Sequence, residues 1–241
     1  MKTRNILLIV FAAAWIFSSC GGSEGETDLQ INLNAKFENQ DLVLQQAVND
    51  PLGNQLRYTV FKFYLSDIVL VKDDNTKFEI SDIELVDFNT GSTFSIEADI
   101  EEGSYKALEF GLGVSPDLNA QDPSMFANDH PLSSFTNTFW TWTSKYRFAL
   151  IEGDIDTSGN GSFPLSFIYH TGLDTLYTLK SMPLSLNATG GSVTIDLNVQ
   201  ADEIFFSTGK EVDYINESAT HTMDNLSLAA RVMENLFAAI Q

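Results

Sequence analysis

The sequence contains a single cysteine, Cys20, among its 241 residues, so no disulfide can form within the chain. Without disulfides the fold has to be stabilised by a hydrophobic core, and a chain of this length can bury enough apolar surface to form one. No internal repeat, proline-rich linker or second long hydrophobic run divides the sequence. We therefore expect one folded domain.

Positive charge is also scarce, with 13 Lys and Arg against 33 Asp and Glu and a formal net charge of −20. Such a chain repels the phosphate backbone, which excludes nucleic acid as a partner. Common enzyme motifs are missing too, because the sequence has no P-loop and no HExxH zinc motif. We expect that the protein is not an enzyme.

The N-terminal residues resemble the signal of a bacterial lipoprotein. Two basic residues precede an apolar run at 6–17, which is too short to cross a bilayer as a helix but is typical of a signal peptide. Two serines and Cys20 follow, as in a lipobox. We predict a signal peptide at 1–19, lipidation of Cys20 and a flexible tether at 20–27, with a soluble periplasmic protein as the alternative.

The remaining sequence, 28–241, alternates apolar and polar residues with a period of two, as β-strands with one buried face do. Strands are predicted at 29–37, 57–71, 77–88, 93–100, 104–114, 138–155, 162–172, 174–187 and 191–199. Residues 115–126 interrupt this pattern, and from Met223 onward the apolar residues follow a helical period. The prediction is a mainly β protein, an antiparallel β-sandwich with a mid-chain loop or short-helix excursion and a C-terminal amphipathic helix.

The three histidines, His130, His170 and His221, are predicted at the ends of elements, where loops assemble binding sites. Met223 follows His221 by two residues and adds a thioether. Imidazole and thioether ligands without cysteine suit copper better than structural zinc, so these residues are candidate copper ligands. Three histidines are no enrichment, however, and each could equally be an ordinary surface or core residue.

Trp140 and Trp142 alternate with threonine in the predicted strand 138–155, so both indoles should project from one face. Such a face usually packs in the core, but it could also flank the loop that carries His130. Together with Tyr146, the two rings could instead form an exposed platform on which a sugar stacks.

The segment GDIDTSGNGS, at 153–162, imitates the first half of a calcium-binding loop. Leu165 stands where the bidentate glutamate of such a loop is required. The simpler interpretation is a hairpin turn rich in glycine and asparagine.

Several short motifs occur in a fixed order: FKFYLSDI, GLGVSPDLN, HP, WTW leading to YRFALIEG, IYHTG and THTMDN. In this order and spacing, residues 28–240 resemble the MbnP-like family of periplasmic or lipid-anchored copper-binding proteins, named for a methanobactin operon. The resemblance implies a β-sandwich that binds copper through His130, His170 and His221. It also implies a di-haem partner of the MbnH type, related to cytochrome c peroxidases, that oxidises Trp140 or Trp142 to kynurenine.

Two functions follow as expectations. The first is a copper-binding lipoprotein of the cell envelope, anchored through Cys20 to the outer membrane on its periplasmic face or at the cell surface. The second is an outer-membrane interaction or carbohydrate-binding β-sandwich. Copper binding should depend on the histidines, whereas sugar binding should be indifferent to chelators.

Overall fold

The structure is a computed structural model that describes residues 25–141 and 144–241. Its strands are β1 (Glu26–Phe37), β2 (Gln40–Asp41), β3 (Ala47–Asn49), β4 (Gln55–Lys72), β5 (Lys77–Asp87), β6 (Thr93–Glu101), β7 (Gly103–Leu112), β8 (Ala149–Asp156), β9 (Leu165–Thr171), β10 (Thr178–Ala188), β11 (Gly191–Gln200) and β12 (Ala219–Thr220). Its α-helices are α1 (Pro116–Asn119), α2 (Glu203–Phe206) and α3 (Leu226–Ala239). The predicted signal peptide and Cys20 lie outside the described residues.

The longest strand, β4, organises the larger sheet. Its aromatic and β-branched residues suit a strand that is paired along both edges. Phe63 pairs at once with Val86 of β5 and Ala149 of β8, which shows that β5 and β8 lie on opposite edges of β4. β7 also pairs with β4, and β10 and β9 extend the sheet from β7 and β8, so that it contains eight strands with β3 and β12.

The smaller sheet is built around β1. This strand pairs antiparallel with β6 and β2 and parallel with β11. A second parallel pair joins β12 to β9, whereas the other described pairs are antiparallel. The predicted sandwich of mainly antiparallel sheets is confirmed, and the parallel pairs join strands that are distant in the sequence.

Buried side chains of both sheets and of α3 form one hydrophobic cluster. Along β1, Leu29, Ile31 and Leu33 point inward in alternation, as the period of two predicts. Aromatic rings fill much of this cluster. The ring of Phe167 lies 5.3 Å from that of Tyr58 and 5.1 Å from that of Phe205, both edge to face.

The predicted continuous strand at 138–155 is wrong, because β8 begins only at Ala149. Phe139 forms an antiparallel bridge with Tyr146, and the Trp140 N–H donates to the Lys145 carbonyl at 2.7 Å. The described residues 138–141 and 144–147 therefore lie side by side in antiparallel pairing, and we call them the tryptophan hairpin (138–147). Trp140 lies on this hairpin, whereas Trp142 falls outside the described residues.

The mid-chain excursion and the C-terminal helix are both present as predicted. The excursion at 115–126 contains α1 and the 3₁₀ turn Pro123–Met125, and a further 3₁₀ turn, Ser134–Thr136, follows it. The Asn225 side chain caps α3 by accepting a hydrogen bond from the Leu228 N–H at 3.1 Å. The helix buries an apolar face that includes Val232 and Leu236. Among the described residues, no helix is long and apolar enough to cross a membrane.

Replacement of Phe167 by alanine should lower the free energy of unfolding by about 3–5 kcal/mol, because it leaves a cavity among buried rings. Denaturant titration of residues 21–241 measures this loss. Phe135 is the matched control: it is 73% exposed, so Phe135→Ala should change stability by less than about 0.5 kcal/mol. Equal losses in the two variants would contradict this assignment of the core.

Candidate metal centre

The pairing of β8 with β9 places His170 beside Glu152. Leu150 pairs with His170 and Glu152 pairs with Ile168, so the Glu152 and His170 side chains are diagonal neighbours on one face of the sheet. Tyr169 points to the opposite face and is buried in the core. On the outer face, the Glu152 Oε1 lies 2.7 Å from the His170 Nε2.

This contact determines which ring nitrogen of His170 can bind a ligand. A carboxylate only accepts hydrogen bonds, so the proton of a neutral ring lies on Nε2 and the lone pair on Nδ1. The Nδ1 atom is buried and has no hydrogen-bond partner among the described residues. Burial lowers the pKa of His170 below its ordinary value, against the opposing effect of the Glu152 hydrogen bond. His170 is thus a neutral imidazole with an unused lone pair.

His221 reaches the same face through β12. This short strand pairs with β9 in parallel, Thr220 opposite Tyr169, and His221 follows it directly. The next residue, Thr222, has a φ of +70°, and the Met223 N–H donates to the His221 carbonyl at 2.9 Å. This is a tight γ-turn with positive φ, a rare and strained conformation. The Thr222 hydroxyl donates to the His170 carbonyl at 2.9 Å, which ties the turn to β9.

A second carboxylate orients His221. The Asp224 Oδ2 lies 3.3 Å from the His221 Nδ1, and its Oδ1 accepts from the His221 backbone N–H at 2.7 Å. Partial burial of Asp224 raises its pKa, but the hydrogen bonds from His221 and Thr220 outweigh this and lower the pKa overall. With the proton on Nδ1 facing this carboxylate, the Nε2 of His221 presents the lone pair.

The Trp140 ring completes a group of three. Its centroid lies 5.7 Å from the His170 ring and 5.9 Å from the His221 ring. The two imidazoles are 5.3 Å apart and nearly perpendicular, at 85°. Thus the structure brings together two of the three predicted histidines and one of the two predicted tryptophans.

Close backbone packing brings the tryptophan hairpin to this position. The Phe148 N–H donates to the carbonyl of Thr171, at the end of β9. The next residue is Gly172, where a Cβ atom would lie 2.3 Å from the Tyr146 carbonyl oxygen. Only glycine permits such an approach. On the hairpin itself, the Arg147 Cζ lies 5.0 Å from the centroid of the Trp140 ring.

These residues fit a copper ion. A metal-binding histidine usually donates its other ring N–H to a carboxylate, and His170 and His221 both have such a partner. Because metal–nitrogen bonds are about 2.0 Å long, two imidazoles on one ion have ring centroids up to roughly 6 Å apart, and the observed 5.3 Å lies within this limit. In the described part of the chain, no group of three or more His, Cys, Asp or Glu could hold a metal ion.

His130 and Met223 are placed differently. The His130 ring stacks on Phe126 at 4.3 Å, and its Nδ1 accepts from the Leu132 N–H at 3.0 Å. Within the described ranges, no contact joins His130 to His170 or His221. The Met223 side chain is 56% exposed beside the γ-turn.

The side chains of the two alternative sites predicted from the sequence, the sugar platform and the calcium-like loop, are engaged in other contacts. Tyr146 is fully buried and packs edge to face against Phe139, so it cannot serve as a platform for a sugar. In the loop that resembles a calcium site, Asp156 accepts hydrogen bonds from three backbone N–H groups of the loop. Asp154 forms an ion pair with Arg57 at 2.8 Å. The loop is a hairpin turn held by the carboxylate of Asp156.

Three residues around the site had no predicted role: Glu152, Arg147 and Asp224. Asp224 follows His221 by three residues, a spacing that could have indicated a carboxylate partner. Glu152 is the first charged residue of β8, after the apolar residues at 149–151, which was a weaker signal. The position of Arg147 depends on the fold of the tryptophan hairpin and carried no signal.

The fold and this group of residues define a β-sandwich protein with a site of two imidazoles and one indole at the edge of one sheet. A sequence model of the MbnP family matches residues 26–224. The chain belongs to the MbnP family, a methanobactin-related family, which confirms the resemblance of its motifs.

One solved structure, MbnP from Methylosinus trichosporium, is similar to this chain with a TM-score of 0.53. The identity is 12%, and the match covers 84% of this chain and 87% of that one. At this identity the likeness shows the shared fold alone. A search of curated proteins found no match to the sequence.

In the metal-free protein, the His170 ring should titrate below its ordinary pKa of 6.5 because burial disfavours the imidazolium. The unfolded chain then takes up this proton at a higher pH than the folded chain. Stability from this group is present above pH 6.5 and decreases as the pH falls through the folded pKa. NMR titration of the ring measures the shift directly.

The variant Glu152→Gln provides the control for this titration. Loss of the carboxylate removes the contact that raises the pKa of His170, so the midpoint should fall further. A midpoint above 6.5 in the parent, or an upward shift in the variant, would contradict the environment described for His170.

Proposed function

We propose that this MbnP-family chain is a copper-binding protein of the cell envelope in which His170 and His221 hold the ion. The observation that supports this is the contact of the two rings, each with one nitrogen beside a carboxylate and the other available as a ligand. Copper heads the affinity order of divalent first-row metals for nitrogen sites. Since two imidazoles incompletely coordinate a metal, a third ligand belongs to the proposal.

Trp140 is the proposed source of this ligand, after its conversion to kynurenine. The conversion opens the C2–C3 bond of the indole and adds two oxygen atoms, and hydrolysis then releases C2 as formate. The product carries a ketone and an aromatic amine, both able to coordinate a metal. Trp140 is favoured because its ring already contacts both histidines.

A di-haem partner of the peroxidase type is the proposed oxidant. The ring opening removes four electrons from the indole, and two molecules of hydrogen peroxide would accept them at the partner's haems. The predicted lipid anchor at Cys20 would hold this chain at a membrane. We therefore place this chain at the outer membrane, as a copper protein that is not itself an enzyme.

Copper titration against a competing chelator tests the ligands. We expect His170→Ala and His221→Ala to weaken binding by about a hundredfold or more, and Glu152→Gln by about ten- to a hundredfold, because it orients a ligand. The titration uses residues 21–241 without a histidine tag, both before and after co-expression with the partner.

His130→Ala and Met223→Leu are the matched controls for this titration. The ring of His130 is engaged by Phe126 and Leu132, and the side chain of Met223 is exposed. Both variants should bind copper as the parent does. Parent-like binding by the His170 and His221 variants would disprove the proposed site, and weaker binding by His130→Ala would enlarge it.

Mass spectrometry of the co-expressed protein tests the modification. Conversion of one tryptophan to kynurenine adds one oxygen and removes one carbon, and peptide sequencing locates it. We expect the change at Trp140, so that Trp140→Phe abolishes it and Trp142→Phe retains it. Modification confined to Trp142 would transfer the proposed ligand to that residue.

A further inference from the structure

Arg147 holds a buried positive charge against the face of Trp140. Its guanidinium donates hydrogen bonds to the carbonyl of Asn137, just before the tryptophan hairpin, and from Nε to the carbonyl of Thr138 at 3.3 Å. The residue is only 8% exposed. Its Cζ lies 5.0 Å from the Trp140 ring centroid, within the range of a cation–π interaction.

The other arginines of the described chain are each paired with a carboxylate. Arg57 lies 2.8 Å from Asp154, and Arg231 contacts Glu217 at 2.5 Å. No carboxylate among the described residues lies within ion-pair distance of Arg147, and Glu152 acts on its charge only from further away. A buried cation without a contacting carboxylate is costly, even though this chain is rich in carboxylates. The cost is understandable if the charge acts on the indole.

We propose that Arg147 is a positioning residue for Trp140, which clamps the indole over the two histidines and makes the ring harder to oxidise. The geometry supports both roles. The planar guanidinium is fixed by the hairpin carbonyls, so it also fixes the ring on which it lies. Both effects act on the Trp140 side chain. Only a positively charged residue, however, makes its ring harder to oxidise.

The direction of the charge effect follows from electrostatics. The negative face of the neutral indole attracts the guanidinium, which stabilises the reduced ring. Removal of one electron leaves a radical cation, which the same charge repels through a weakly polar environment. Both terms raise the reduction potential of Trp140. The electron goes to the oxidant, and the ring N–H proton then leaves to water.

The meaning of this effect rests on the proposed function. If Trp140 becomes a ligand, its oxidation has to be confined to the encounter with the partner. A raised potential would protect the ring from weaker oxidants and leave it to a haem at a high oxidation state. Arg147 would thus determine which oxidants modify this protein.

The test is one-electron oxidation of the copper-free chain without the partner. Residues 21–241 with Trp142→Phe contain Trp140 as their single tryptophan, and loss of its fluorescence reports the reaction. Two oxidants of opposite charge are compared, hexachloroiridate(IV) and tris(bipyridine)ruthenium(III). We expect Arg147→Gln to react roughly tenfold faster with both, and Arg147→Lys, which keeps the charge, to react nearly as slowly as the parent.

The use of two oxidants separates the indole from the surface charge. If Arg147 altered only the encounter with the oxidant, its loss would accelerate oxidation by the cationic ruthenium complex and slow oxidation by the anionic hexachloroiridate. That result would show the proposal to be wrong. Equal rates in parent and Arg147→Gln, or an Arg147→Lys variant as fast as Arg147→Gln, would also overturn it. Arg57→Gln is the matched control, because Arg57 lies 4.4 Å over the ring of Phe163 and not over a tryptophan.

A second variant keeps the test decisive if Arg147→Gln does not fold. Glu152 acts on Arg147 with the opposite charge, so Glu152→Gln should slow the oxidation of Trp140, and an acceleration would contradict the proposal. Near-ultraviolet circular dichroism checks the clamp, because loss of the guanidinium should weaken the indole signal. All these measurements are made without copper. Their outcome therefore does not depend on whether the protein binds copper, and a negative outcome would not count against the proposed copper site.

Discussion

The pairing of β8 with β9 is the constraint on which the candidate site depends. Side chains alternate along a strand, so a shift of one residue would move His170 from the outer face into the core. The observed register is held by Tyr169 and Phe167, whose rings are buried on the opposite face. The same register places Glu152 diagonally beside His170. The hydrophobic core therefore determines both the position and the tautomer of the histidine.

Other segments are attached to this pair of strands from two directions. β12 adds His221 by pairing with β9, and the γ-turn at Thr222 is fastened to the His170 carbonyl. From the other side, the tryptophan hairpin packs where Gly172 lacks a side chain. Residues from three distant parts of the sequence thus meet on one outer face. Backbone contacts, rather than the functional side chains, hold these segments together.

The ionisable side chains around the site differ in burial and in the partner that each one contacts. His170 is buried and neutral, His221 is half exposed, and each has a carboxylate at one ring nitrogen. Arg147 brings a positive charge to the indole and not to a carboxylate. This arrangement lies in a chain whose formal net charge is −20. It connects two chemical properties, the availability of imidazole nitrogens and the ease of oxidising the ring beside them.

The sequence by itself determined the β-sandwich, the mid-chain excursion and the C-terminal helix, because periodicity and turn residues act over short distances. Its ordered motifs also determined the family. It could not distinguish a continuous strand at 138–155 from the tryptophan hairpin, because apolar and polar residues alternate in both. Nor could it show that His170 and His221 contact each other while His130 stacks on Phe126. Only the tertiary structure decided these points, because strand register and the packing of distant segments depend on the whole core.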